Sequence, residues 1–319
     1  MAILTLKQTL ARAEAGGYAV GAFNVSSVDQ VIAVMEAAVA ERSPVIVQAI
    51  AGMSPYPDED RWWRLLRTVV AGYESVPATV HLDHGRTVAD CRRAIEAGFS
   101  SVMIDASRDP VTDEPADFAA NVALTQQVVD IAHPAGVSVE GELGTVGGAE
   151  AGISGILEEI VFADPELAAE FVALTSVDAL AVAVGTSHGS VKFTDEAGGQ
   201  RLRIGLIEQI KQRLPETYLV LHGSSSVPAD EVAAINRFGG AVIPSYGIDL
   251  AQKQEGIRSG IRKINQGTDS HLAWTAALRE LLATSPAVVE PSEQLKPAMA
   301  AFQRMVQQRM REFGSAGRA

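Results

Sequence analysis

Short β-branched and apolar runs alternate along this chain with longer stretches whose apolar positions recur every three to four residues. Eight of the short runs read as strands: Gly21–Val25, Pro44–Ile50, Ala78–His84, Ser101–Ser107, Ser138–Gly144, Ala179–Gly185, Tyr218–Gly223 and Gly260–Gln266. Between them lie amphipathic stretches such as Val28–Arg42, Val88–Ala97, Phe118–His133, Pro165–Thr175 and Arg203–Arg213. Near-continuous apolar strands separated by helices predict a parallel sheet covered by helices, an α/β fold. Eight is the number of strands that a closed (β/α)8 TIM barrel requires, and that is the predicted fold; an open doubly wound sheet would give the same alternation. A further terminal helix is expected at Leu295–Phe313, and no linker-like composition breaks the chain, so one domain is expected over residues 1–319.

Two segments interrupt the alternation. Residues 145–156, after the fifth strand, are rich in Gly and Ala, and residues 192–200, after the sixth, are polar. In a barrel both would lie at the mouth formed by the strand C-termini, where loops carry function.

Composition narrows the partners. Against 26 basic residues stand 39 acidic ones, a net charge of −13 that repels nucleic-acid backbones and anionic lipid. The single Cys91 has no partner for an internal disulfide, the first residues lack a signal-peptide pattern, and no stretch is apolar over the length of a bilayer. A cytoplasmic protein, without a nucleic-acid or membrane partner, is the expectation. A phosphorylated ligand would need a local cradle of backbone amides and a few cations.

The chemistry concentrates at predicted strand ends. Of six histidines, His84, His188 and His222 terminate the third, sixth and seventh strands in HLDHG, GTSHG and LHGSSS. A lone strand-end histidine is usually a structural hydrogen-bonding group, but three beside glycines, with Glu142 from the fifth strand, form a donor set suited to zinc or a similar divalent ion. Asp83 directly precedes His84, and in a regular strand the two would point to opposite faces, so both reach the site only if the strand has ended and the chain is turning. The alternative for Asp83 is that it orients a histidine. Glu140 and Glu142 share one strand face, so one could bind metal while the other stays behind it; Glu150, in a Gly-rich loop, reads by itself as a solvated carboxylate. Gly147, Gly148, Gly185, Gly189 and Gly223, the last followed by Ser224, Ser225 and Ser226, would allow backbone amides to approach an oxyanion.

The segments AFNV (Ala22–Val25), HLDHG (His81–Gly85), GFSSVMIDAS (Gly98–Ser107), VEGELG (Val139–Gly144), GTSHGSVKF (Gly185–Phe193), HGSSSVP (His222–Pro228) and KIN (Lys263–Asn265), with LKPA at Leu295–Ala298, follow one another in this order. In this the chain resembles class II fructose-bisphosphate aldolases and their tagatose-specific relatives, closest to the branch found in Calvin-cycle-type bacterial enzymes. The resemblance implies a lyase of carbohydrate metabolism of the glycolytic type that reversibly cleaves a phosphorylated ketose, fructose 1,6-bisphosphate, into dihydroxyacetone phosphate and glyceraldehyde 3-phosphate. It implies Zn2+ or another divalent metal on His84, His188 and His222, with Glu142 as a further ligand, Asp105 as the acidic residue beside the metal, and a monovalent cation as a possible companion. Asp83 would exchange a proton with the carbon-4 hydroxyl and Glu150 would take the proton from the three-carbon donor. Asn24 and Asn265 would hold substrate. Gly189, Gly223, Ser225 and Thr268 would line a phosphate end with Lys192 nearby, and Lys296 would serve the second phosphate. Relatives are oligomeric, so a homodimer or homotetramer is implied.

Three departures from the family pattern bear on the sugar. Ile50 stands where relatives usually carry a Ser, Gly267 where fructose-specific ones carry an acidic residue, and Ala151 where an Asp usually follows the mobile Glu. Tagatose 1,6-bisphosphate or another modified ketose phosphate is the alternative substrate, and a non-catalytic binding barrel the remote one.

Overall fold

The computed structural model describes residues 3–108, 114–145, 147–150, 153–155, 161–188 and 202–319, with side chains at all of these except 147–150, 153–155 and 187–188. In chain order the elements are α1 (Leu6–Gly16), β1 (Val20–Asn24), α2 (Val28–Glu41), β2 (Val45–Ile50), α3 (Glu59–Ala71), β3 (Ala78–Gly85), α4 (Val88–Glu96), β4 (Ser101–Ile104), α5 (Phe118–Ala132), β5 (Ser138–Leu143), β6 (Gly147–Glu150) and β7 (Ile153–Gly155). They continue with α6 (Pro165–Thr175), β8 (Ala179–Val182), β9 (Ser187–His188), α7 (Ile204–Arg213), β10 (Tyr218–Leu221), α8 (Ala229–Arg237), α9 (Leu250–Arg258), β11 (Ile261–Gln266), α10 (Thr268–Thr284) and α11 (Pro291–Glu312).

Eight parallel strands close in the order β1-β11-β10-β8-β5-β4-β3-β2, and it is the pairing of β1 with β11, Val20 beside Lys263, that rules out the open sheet. Each strand falls within about two or three residues of the position its hydrophobic run predicts. Five helices, α1, α3, α8, α9 and α10, lie outside the stretches singled out above. Their starts are nonetheless written locally in three cases: Thr5 and Gln8 form a capping box on α1, Asp58 caps α3 and Asp249 caps α9. The terminal helix begins earlier than expected, at Pro291, because a proline in the first turn gives up no hydrogen bond. Among the described residues no helix is long and apolar enough to cross a membrane.

The pleat sorts the side chains. In β3, Val80 and Leu82 pack outward into the main apolar cluster under the helices, whereas Thr79, His81 and Asp83 make polar contacts inside the barrel. At the N-terminal end the interior is apolar: Leu6, Leu10 and Ala13 of α1 pack against Val20, Ala22, Ile46, Ala179, Ala181 and Val220. Each buried leucine there contributes about 1.5–3 kcal/mol relative to exposure. The helix thus plugs one end, leaving the other as the mouth.

Beyond the eight-stranded barrel, β7, β6 and β9 form a small sheet, with Gly148 in register with His188. The chain after the fifth barrel strand is therefore stitched to the chain just after the sixth; the second interruption, residues 192–200, lies outside the described residues.

Candidate active site

Asp83 and His84 do reach the same cavity, but by a route different from the expected end of the strand. β3 continues to Gly85, and its register with β4 shifts between Leu82 and Gly85 while His84 takes φ +48°. A bulge with one residue in the left-handed region turns both consecutive side chains inward; such a conformation costs on the order of 1–3 kcal/mol for a non-glycine residue. Gly85 is required beside it, because a Cβ there would stand 2.7 Å from the Met103 carbonyl oxygen.

Two overlapping groups of ligand atoms result, Asp83 with His84 and His222, and His84 with Asp105 and Glu142, each group lying within 4.8 Å. The rings of His84 and His222 meet edge to face at 4.8 Å between centroids. His84 Nδ1 lies 3.0 Å from Asp105 Oδ2, and Asp105 Oδ1 accepts from the Ser107 amide and hydroxyl, at 3.2 and 2.7 Å. With Nδ1–H donated to Asp105, the lone pair of the neutral imidazole sits on Nε2. Burial works against a charge on His84, but the carboxylates of Asp83, Asp105 and Glu142 prevail and push it up to about 10. The three carboxylates thus favour positive charge at this position.

His222 is gripped from behind. Its Nε2 is 2.9 Å from Glu140 Oε1, and Glu140 in turn accepts from Lys263 Nζ at 2.8 and 3.1 Å, all three residues being fully buried. His222 Nδ1 then faces Glu142 Oε2 at 3.7 Å. That Glu142 oxygen is buried and has no hydrogen-bond donor among the described residues. Burial, and then the neighbouring Asp105 carboxylate, raise the Glu142 carboxyl well above the usual range. An orphaned carboxylate oxygen amid imidazole nitrogens is what a site for a borderline divalent ion needs, so the residues present fit such a metal. Of the expected ligands, His84, His222 and Glu142 are brought together, with Asp105 beside them. The backbone of His188 lies in β9, and its side chain is outside the described residues.

Asp83 is held by three amides. Asn24 and Gln48 donate to Oδ2 at 2.8 and 2.9 Å, Asn265 donates to Oδ1 at 3.0 Å, and Gln48 also donates to Asn24 at 2.8 Å. This fixes the carboxylate next to the imidazole cluster. Gln48 and the Lys263–Glu140 pair are contributions that the sequence reading did not assign. Each had a signal, a polar residue in the middle of an apolar strand run, VIVQAI and IRKIN.

The remaining expected residues divide. Gly223 has φ +60° and opens the loop Gly223–Val227. Ser224 Oγ donates to the Asn265 carbonyl at 2.6 Å, while the Asp269 carboxylate accepts from the Ser226 and Val227 amides at 3.0 and 2.9 Å and pairs with Arg309 at 3.1 Å. Ser225 is buried, and Gly247 lies so close that a Cβ would be 2.0 Å from the Ser225 carbonyl oxygen. Thr268, also buried, opens α10, whose N-terminal amides favour an anion. Lys296 lies apart, exposed on α11 and paired with Glu293 at 2.6 Å. Glu150 lies in β6 with its side chain outside the described residues, and Gly189 and Lys192 fall outside them altogether.

The family model for class II fructose-bisphosphate aldolase matches residues 4–318. A fructose-bisphosphate aldolase of Nostoc commune is 45% identical, with 100% of this chain and 92% of that protein covered. One from Stutzerimonas stutzeri is 43% identical at 100% and 93% coverage. Among solved structures, the YdjI aldolase of Escherichia coli K12 superposes with a TM-score of 0.78 at 27% identity, over 99% of each chain. A barrel closed on a buried imidazole–carboxylate cluster, matched over nearly its whole length by one family, makes this chain a member of the class II fructose-bisphosphate aldolases.

Proposed function

We propose that this protein catalyses the reversible aldol cleavage of fructose 1,6-bisphosphate to dihydroxyacetone phosphate and glyceraldehyde 3-phosphate. The observation that carries the reading is Asp83, clamped by three amide donors and set beside His84 and His222. His84, His188 and His222 would hold a divalent metal, Zn2+ in this reading, with Glu142 as an exchangeable further ligand. When bound, that ion supplies Lewis acidity to the developing enediolate oxygens, worth several kcal/mol.

The chain's own residues supply the rest. Asp83 takes the proton from the carbon-4 hydroxyl as the carbon–carbon bond breaks, and Asn24, Gln48 and Asn265 hold it in place. Glu150, from the segment paired with β9, returns a proton to the three-carbon fragment. Asp105 and Glu140 orient the imidazoles of His84 and His222. Gly189, Gly223, Ser225 and Thr268 cradle the donor phosphate with help from Lys192, against the overall charge of −13. We further read the protein as a cytoplasmic homo-oligomer, dimer or tetramer, as the family resemblance implies.

The test is a coupled assay of dihydroxyacetone phosphate release from fructose 1,6-bisphosphate before and after treatment with EDTA, with Zn2+ added back. Metal-dependent release is expected; release that survives metal removal, or none at all with Zn2+ restored, would refute the reading.

A further inference from the structure

On the β1–β2 side of the mouth lies a cavity of about 550 Å3, joined to the catalytic cluster through Asn24, which both lines it and donates to Asp83. Its wall combines the apolar side chains of Val25, Ile50, Met53, Pro55 and Trp274 with uncharged polar ones such as Asn24, Gln30 and Thr275. Among the described lining residues there is neither Lys nor Arg, and His271 is the one ionisable side chain. The loop carrying Met53 and Pro55 is tied down by a carboxylate, the Gly52 amide donating to Glu59 Oε1 at 2.8 Å. The Arg93 guanidinium behind that loop is shared among Glu59, Asp60 and Asp90. Lys296, the residue expected to serve a second phosphate, is paired on the outer surface. The cradle proposed above for the donor phosphate, Gly223, Ser225 and Thr268, follows β10 and β11 rather than β1 and β2 in that reading. A phosphate dianion brought against the described wall, in a protein of net charge −13, would lose hydration with no Lys or Arg of that wall in return.

We propose that this cavity receives the aldehyde half of the substrate in uncharged form, so that the enzyme joins dihydroxyacetone phosphate to aldehydes without a phosphate at least as readily as to glyceraldehyde 3-phosphate, and cleaves the corresponding ketose 1-phosphates. The inference rests on the aldolase reading above. In the synthetic direction Glu150 removes a proton from carbon 3 of dihydroxyacetone phosphate, and the electron pair left behind forms the new bond to the aldehyde carbon. The carbonyl π pair moves onto oxygen, which takes a proton from Asp83; solvent then restores both carboxyl groups, and no other reactant is consumed. Ile50 and Met53 act as specificity determinants.

Initial rates on Zn2+-loaded enzyme with dihydroxyacetone phosphate should be compared for butanal, D-glyceraldehyde and D-glyceraldehyde 3-phosphate. Exchange of the carbon-3 proton into D2O, read by NMR without any aldehyde, runs in parallel. We expect the better uncharged aldehyde to match the phosphorylated one in kcat/KM within about threefold or to exceed it. Met53→Lys, a change at a half-exposed position that the fold tolerates, should shift the ratio toward the phosphorylated aldehyde by about tenfold or more, as should Ile50→Lys. Proton exchange at a normal rate with the phosphorylated aldehyde favoured by more than about a hundredfold would overturn the inference and leave the aldolase reading intact. A ratio unmoved by Met53→Lys would overturn it too. Absence of both proton exchange and bisphosphate cleavage would remove the inference together with the reading beneath it.

Discussion

The two ends of this barrel are built from the same eight strands and have opposite interiors. At the N-terminal end Leu6, Leu10 and Ala13 meet Val20, Ile46 and Val220 in an apolar plug. At the C-terminal end, a few residues further along the same strands, the inward positions are Asn24, Gln48, Asp83, Glu142, His222 and Asn265, all buried and polar. Between the two lies the fully buried layer of His81, Glu140 and Lys263. Stability and chemistry are thus separated along the strand direction, and the charged middle layer is the joint. Apolar packing below tolerates the desolvation that the polar cluster above requires.

If that division holds, damage at either end should have a distinct signature. The largest effect belongs to the metal centre: His222→Ala should abolish metal binding and reduce turnover by more than about a thousandfold, checked by metal analysis beside dihydroxyacetone phosphate release. Asp83→Asn should lower kcat by about 10²–10⁴-fold while metal content stays near that of the parent. A metal-free Asp83→Asn protein would move Asp83 from proton transfer to ligation. At the opposite end, Leu10→Ala should cost about 2–5 kcal/mol in denaturant unfolding and leave turnover per folded molecule unchanged. A matching fall in turnover would show that the ends are coupled. The joint is probed by Glu140→Gln, which should weaken metal affinity about 10–100-fold in a chelator competition, because His222 loses its charged anchor. Smallest is Thr9→Val, which removes the 2.7 Å hydroxyl contact between α1 and Thr79 and should cost about 1 kcal/mol with no change in metal affinity.

The barrel was legible because each strand run is bounded by Gly, Pro or polar residues and followed by a helical period, and the register of eight such units leaves few alternatives. His84, His222 and Glu142 stood out because such groups at the ends of several different strands converge on one barrel mouth, although any one of them alone would read as structural. The pairing of Asp83 with His84 was not. Alternation sends neighbours to opposite faces, and only the bulge, which is set by contact with β4, overrides it. Gln48 and Lys263 were visible as polar residues within apolar runs, yet their partners lie on other strands and no local pattern names them. Lys296 rested on the resemblance alone, and its side chain pairs one helical turn back, with Glu293, on an exposed face.

The ion pair between Arg309 and Asp269 ties distant parts of the chain together. Asp269 positions the Ser226 and Val227 amides, and its charged partner sits near the end of α11. A turn after β10 is thus braced through a residue of the last helix, so loosening α11 would be felt in the loop that opens at Gly223, although the two are not adjacent in sequence.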